Sequence, residues 1–147
     1  MSCDNLLKMR GYAAIGLYHP KDYHNIGSIL RLASVYNAAY VATEGRRYRK
    51  ASTDTTAAHR KLPVFSDVKL RDVIPYDVVP VAVELRNDAQ SLIEYKHPER
   101  AFYIFGPEDG SLGHAVTDWC RDVVYIPGLH CLNLATAVST VLYDRMA

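Results

Sequence analysis

Very little in this chain points to metal or disulfide chemistry. Its 147 residues hold three cysteines, and Cys3, Cys120 and Cys131 form neither an even set nor a CxxC-type spacing. A disulfide framework and a cysteine-rich zinc site are therefore not expected. The six histidines are scattered without HxH or HExxH spacing, so no metal centre is expected either. No apolar run is long enough to span a bilayer, and no basic, apolar leader opens the chain. The expectation is a cytoplasmic protein with no membrane association. Neither sign of charge is in excess, with 17 Lys and Arg against 16 Asp and Glu. The net charge is +1, so no global field draws the chain to nucleic acid, and RNA affinity must come from a local patch.

What is present is a core-forming composition, with 49% hydrophobic and 22% charged residues. That argues against disorder and suits one domain over residues 1–147. Tyr12 to Tyr18 is a short apolar run without helical period and reads as a strand. A polar break, His19 to His24, follows. Asn25 has the side chain of an N-cap for a helix from Ile26 to about Tyr36, with Ile26, Ile29, Leu30 and Ala33 on one stripe. Asn37 ends it. Strands are expected at Ala38 to Thr43, Pro63 to Phe65, Val78 to Leu85, Ala101 to Phe105 and Val123 to Ile126. Helices are expected at Val68 to Ile74, Ala89 to Tyr95, His114 to Cys120 and Asn133 to Arg145, with a short one around Thr55 to Arg60. Pro80 predicts a strand that lies at a sheet edge or begins after it. The alternation implies an α/β fold, a mostly parallel sheet with helices on both faces.

Two strands each run straight into a loop dense in glycine, proline and small polar residues. Ligands bind outside the carboxyl ends of strands in such sheets, so the two loops suggest one shared pocket. The first loop holds Gly106, Pro107, Glu108, Gly110 and Gly113. Its glycine spacings fit neither GxGxxG nor a P-loop, which disfavours phosphate cradling of the dinucleotide or triphosphate kind. Glu108 could orient a ligand or pair with Arg31; the alternative is a solvated surface turn. The second loop runs Ile126, Pro127, Gly128, Leu129, His130, Cys131, Leu132, Asn133, Leu134. Cys131 could line a pocket. Its only sequence-adjacent base is His130, and adjacent side chains rarely face each other, so Cys-His catalysis is disfavoured.

Two basic features complete the picture. Gly27 and Arg31 lie one turn apart on a helix face that leaves room for a guanidinium, able to hold a phosphate or a developing oxyanion. A solvated helix arginine is the competing reading. Arg46, Arg47, Tyr48, Arg49 and Lys50, with Arg60 and Lys61 downstream, form the one basic cluster of a near-neutral chain. They suit an RNA backbone and a stacked base, or simply a charged loop in water.

In order, these segments resemble the three motifs of the SPOUT class of RNA methyltransferases, in its SpoU-type branch. The first is Asn25, Gly27 and Arg31; the second Gly106, Glu108 and Gly113 after an apolar strand; the third Ile126, Pro127 and Cys131-Leu132-Asn133-Leu134. The resemblance covers nearly the whole chain, and its length is similar to the minimal members that modify tRNA.

The resemblance implies S-adenosylmethionine-dependent methylation of an RNA ribose 2′-hydroxyl, most simply in tRNA. It implies an α/β knot with a C-terminal trefoil and a homodimer joined near the first and last helices. It assigns catalysis to Arg31, Asn25, Glu108 and Asn133. It assigns cofactor binding to Val83, Glu84, Leu85, Phe105, Gly106, Glu108, Gly110, Ile126, Pro127, Cys131, Leu132 and Leu134. It departs at two places: Cys131 and Ala135 stand where serines are usual, and a thiol is a poor hydrogen-bond donor. That departure motivates the alternative of a knotted RNA- or cofactor-binding module with weak or no catalysis. A flavodoxin-like small-molecule domain is a third reading, opposed by the basic cluster.

Overall fold

A computed structural model describes residues 11–45 and 61–147. Cys3, the helix expected around Thr55 to Arg60, and the basic residues Arg46, Arg47, Tyr48, Arg49, Lys50 and Arg60 lie outside the described residues. Seven strands form one sheet: β1 (Tyr12–Tyr18), β2 (Val41–Glu44), β3 (Val64–Phe65), β4 (Val79–Val83), β5 (Gln90–Ser91), β6 (Arg100–Phe105) and β7 (Asp122–Tyr125). Their spatial order is β3-β2-β1-β6-β4-β7-β5, and every pairing is parallel. Among the described residues three α-helices accompany them: α1 (Tyr23–Val35), α2 (His114–Thr117) and α3 (Leu134–Met146).

Both faces of the sheet are covered, which is why β1 and β6 read as unbroken apolar runs. Ala13, Ile15 and Leu17 of β1 pack with Ile26, Ile29, Leu30 and Ala33 of α1 and Val138, Val141 and Leu142 of α3. On the other face, Ala14, Phe102 and Ile104 pack with Leu70, Leu112 and Val116. Gly16 serves this second face: a Cβ there would stand 2.7 Å from the Phe102 ring.

The ends of α1 show how side chains set helix limits. Its N-cap is Asp22, whose carboxylate accepts from the His24 N–H at 2.8 Å. The expected cap, Asn25, lies inside the first turn instead. Asp22 is an equally good cap, and the earlier start leaves the Asn25 amide for a tertiary contact. At the other end Asn37 takes a left-handed φ of 54°. Ala38 N–H then bonds Ala33 O at 2.8 Å and Asn37 N–H bonds Ser34 O at 3.3 Å, a Schellman closure. Ala38 is used in this turn, and β2 begins later than expected, at Val41.

Four other expectations are corrected. Pro80 lies in a central strand, because β4 pairs with β6 on one side and β7 on the other. The β7 ladder begins only at Val81, so the missing N–H at Pro80 falls before it, while its carbonyl accepts from Arg121 N–H at 3.0 Å. The helix expected at Ala89 to Tyr95 is the edge strand β5 followed by a 3-10 turn, Leu92–Glu94, capped by the Ser91 hydroxyl. Buried Leu92 and Tyr95 are spaced by three, the period of that turn. The helix expected at Val68 to Ile74 is likewise a 3-10 turn, Leu70–Val73. The helix expected at His114 to Cys120 is confined to α2, beyond which single turns bond Trp119 N–H to Val116 O and Cys120 N–H to Thr117 O.

β4 and β5 are consecutive strands, yet β7 lies between them. The connection 84–89 therefore spans the strand that leads into the C-terminal helix. This is compatible with a threaded C-terminal segment. Below the sheet, Arg145 of α3 donates to Pro98 O (2.6 Å), Glu99 O (2.7 Å), Tyr103 Oη (3.0 Å) and Tyr12 O (3.3 Å). His97 joins the same cluster, 2.7 Å from Tyr103 Oη and 2.6 Å from Asp144. These contacts tie the end of α3 to β1 and β6.

Candidate functional site

The carboxyl ends of β6, β4 and β7 are neighbours in the sheet. Their loops enclose one cleft of about 680 Å³. That is within the range of small-molecule sites. Val83, Glu84 and Leu85 come from the end of β4, Phe105 to Glu108 and Gly110 from the end of β6, and Ile126 to Leu132 and Leu134 from the end of β7. Every residue expected to contact the cofactor lines this cleft. Pro107, Tyr125, Gly128, Leu129, His130 and Ala137 line it too; most lie inside the same loops, between assigned positions.

Two carboxylates shape the walls. Glu84 accepts from the Leu112 N–H at 2.6 Å and from its own neighbour Leu85 N–H at 3.1 Å. This pins the glycine loop to the end of β4. Gly106 suits this close return of the loop, since a Cβ there would stand 3.2 Å from the Leu112 nitrogen. Glu108 reaches across to the start of α1. It accepts from Lys21 N–H (3.0 Å), Asp22 N–H (3.3 Å) and the Asn25 amide (3.2 Å). Burial works to raise its carboxyl pKa, but these hydrogen bonds and its own backbone outweigh it and hold the group below the usual glutamate range. Next to it, Lys21 Nζ pairs with Asp109 at 2.5 Å.

The lining has a definite chemistry. Leu85, Leu129 and Leu132 are large, apolar and exposed, and all three rim the cleft. Clustered exposed apolar surface of this kind marks a ligand site. Glu84 and Glu108 supply two carboxylates, and no Lys or Arg stands among the described residues that line the cleft. The cleft therefore suits a ligand with an apolar face and positive charge, and not a free polyphosphate.

The expected catalytic residues are only partly assembled. Asn25 meets Glu108 at the mouth of the cleft. Asn133 caps α3, its side chain accepting from Ala135 N–H (2.9 Å) and Thr136 N–H (3.3 Å). Arg31 is exposed on α1 and does not line the cleft. Cys131 is exposed and lines it, while burial pushes the Cys120 thiol up to about 12 and leaves it inert. Among the described residues no group of His, Cys, Asp and Glu is placed to hold a metal ion, and no helix is long and apolar enough to cross a membrane.

The fold and cleft are those of a doubly covered parallel sheet with a ligand site at its strand ends. The profile of the SpoU rRNA Methylase family matches residues 12–143, and the chain belongs to that family. No curated protein matches the sequence. Among solved structures, it is similar to the SpoU methyltransferase AviRb from Streptomyces viridochromogenes, with 21% identity and a TM-score of 0.81 over 99% of this chain and 62% of that one. AviRb is also known in complex with AdoMet. The A. aeolicus TrmH/SpoU tRNA modifying enzyme gives 17% identity and a TM-score of 0.81 over 96% of this chain and 77% of that one. A structure concerning 2-OH methylation of C/U34 on tRNA gives 22% and 0.77 over 92% and 94%. These are likenesses of fold. The chain spans about three-fifths of AviRb, 62%.

Proposed function

We propose that the protein is a cytoplasmic methyltransferase that uses S-adenosylmethionine to methylate a ribose 2′-hydroxyl in tRNA, as a homodimer. The observation that carries this reading is the cleft's lining: an apolar rim, two carboxylates and, among the described residues, no Lys or Arg. S-adenosylmethionine has a flat apolar base, a positive sulfonium and an ammonium, which this lining fits. Once bound it supplies a methyl carbon already activated by the sulfonium charge. Backbone groups of the loops at Gly106, Ile126 and Leu132 are available to the adenosine. Glu84 holds the glycine loop in place, and Glu108 and Asn25 fix the start of α1 against it.

The ribose hydroxyl is a poor nucleophile until its proton leaves, so developing oxyanion charge must be stabilised. Arg31 has the chemistry for that role. Val35 lies one turn further along the same face of α1, and Val35, Tyr143 and Met146 are exposed apolar residues of α1 and α3. Burying that face against a second copy takes Arg31 into the interface and toward the other copy's cleft. The basic residues Arg46 to Lys50 are offered as RNA-contacting residues. The preference for tRNA follows from the likeness over nearly full length to a structure concerned with tRNA. A binding module with weak or no transfer is the second reading, favoured by Cys131 in place of serine.

The test compares modified nucleosides in tRNA from cells with and without the protein, by mass spectrometry. One 2′-O-methyl nucleoside is expected to disappear with the protein. An unchanged nucleoside profile in both tRNA and rRNA counts against the reading.

A further inference from the structure

The inference here rests on the methyltransferase reading above and concerns where RNA is held outside the cleft. β1 and β2 end side by side, with Tyr18 paired to Glu44. The next residue of each strand is left-handed, His19 at φ 51° and Gly45 at φ 86°. The His19 N–H still bonds Glu44 O at 2.8 Å, so its backbone stays anchored to the sheet.

The His19 ring is held from two directions. The Tyr18 ring stands perpendicular to it, with centroids 4.3 Å apart and an interplanar angle of 87°. Gly45 lies so close that a Cβ there would stand 2.2 Å from His19 Nδ1. Glycine alone gives room for the ring and takes the left-handed turn without strain. Yet His19 is exposed, and among the described residues its ring makes no hydrogen bond or ion pair. The carboxylates of the same sheet edge are engaged elsewhere. Glu44 accepts from Leu70 N–H (2.9 Å), Asp22 from His24 N–H (2.8 Å), Asp109 from Lys21 Nζ (2.5 Å) and Glu108 from the Asn25 amide (3.2 Å).

A flat aromatic ring, fixed in place and open to solvent, suits the face of an unpaired nucleobase. Its position suits one beside the cleft. β1 pairs with β6 as well as with β2, Leu17 opposite Phe105, and Gly106 after β6 lines the cleft. Adjacent strands are about 5 Å apart, so His19 leaves the sheet next to the strand whose loop walls the cleft. In sequence, Gly45 leads directly into Arg46, Arg47, Tyr48, Arg49 and Lys50, cations suited to a phosphate backbone.

We propose that His19 is a stacking platform for an unpaired RNA base adjoining the nucleotide that is methylated. It binds the RNA and takes no part in methyl transfer.

The test measures filter binding of unmodified tRNA and rRNA transcripts, and label transfer to them from S-adenosylmethionine, for wild type, His19→Ala, His19→Leu and His19→Phe. Loss of one stacked base should weaken RNA binding and raise RNA KM about tenfold in His19→Ala and His19→Leu. Their kcat at saturating RNA, their cofactor affinity by calorimetry and their thermal unfolding should stay near wild type. His19→Phe keeps a ring and should keep RNA affinity. In the RNA that binds, an abasic substitution at one unpaired position should weaken wild type and leave His19→Ala indifferent. Wild-type RNA affinity in His19→Ala and His19→Leu, an equal loss in His19→Phe, a loss confined to kcat or cofactor affinity, or no abasic position that separates wild type from His19→Ala overturns the proposal. A wild-type protein that binds cofactor yet neither binds nor labels these RNAs overturns the functional reading first, and the stacking role with it.

Discussion

The Glu108 carboxylate accepts a 3.2 Å hydrogen bond from the Asn25 amide across 83 residues of chain. With the Lys21 and Asp22 N–H groups it ties the start of α1 to the glycine loop that walls the cleft. Two segments far apart in sequence thus form one rigid edge of the site.

That contact has a pH dependence with a definite sign. The folded-state pKa of Glu108 is below its ordinary value. Its stabilisation is therefore complete above the unfolded-state pKa, about 4.3, and is lost as pH falls through the lower folded value. The stability difference between wild type and Glu108→Gln should be positive at pH 7 and shrink below about pH 4. Urea titrations at a series of pH values check this. A difference that is constant with pH contradicts it.

Asn133→Ala removes two accepted hydrogen bonds from the first turn of α3. The expected loss is about 1 kcal/mol, read from the urea midpoint. Because that turn closes the second loop, weaker cofactor binding should accompany it. A variant as stable as wild type would show that the cap is dispensable.

Gly16→Ala places a methyl group 2.7 Å from the buried Phe102 ring, between β1 and β6. Overpacking at such a site costs about 1–3 kcal/mol. Thermal unfolding should show the loss, and Phe102→Leu in the same chain should recover part of it. No recovery in the double variant would place the strain elsewhere.

If the Arg31 guanidinium serves the cleft of a second copy, two inactive variants should complement each other. Arg31→Ala lacks the cation, and Leu132→Trp fills the cleft. Each alone should transfer little label. Mixed by unfolding and refolding, they should regain about a quarter of wild-type activity, since half the random dimers carry one intact composite site. A mixture no better than either parent places Arg31 within its own chain's site.

How much of this was legible in the sequence depends on how local each signal is. β1, the α1 stripe, the Asn37 stop and the start of the closing helix at Asn133 are set by residues within a few positions, and the sequence reading finds them. Pro80 misleads because its tolerance depends on where β7 begins, a fact of partner register. Leu92 and Tyr95 mislead because a spacing of three suits both a helix face and a 3-10 turn. The lining of the cleft was legible through motif resemblance, since the loops follow strands directly. The hydrogen bonds of Glu84 to Leu112 and of Glu108 to α1 were not, because both cross the fold. The Arg145–Tyr103–His97 cluster escaped for the same reason: its members pair across β1, β6 and α3.

The central claim is that this cleft directs a methyl group onto a ribose oxygen of RNA. The most direct measurement incubates the purified protein with methyl-labelled S-adenosylmethionine and unmodified tRNA, then hydrolyses the RNA in alkali. A 2′-O-methyl group blocks cleavage at its own nucleotide, so the label should appear in an alkali-resistant dinucleotide. Label released in a mononucleotide, as from a methylated base, or cofactor binding without any label in RNA, contradicts the account.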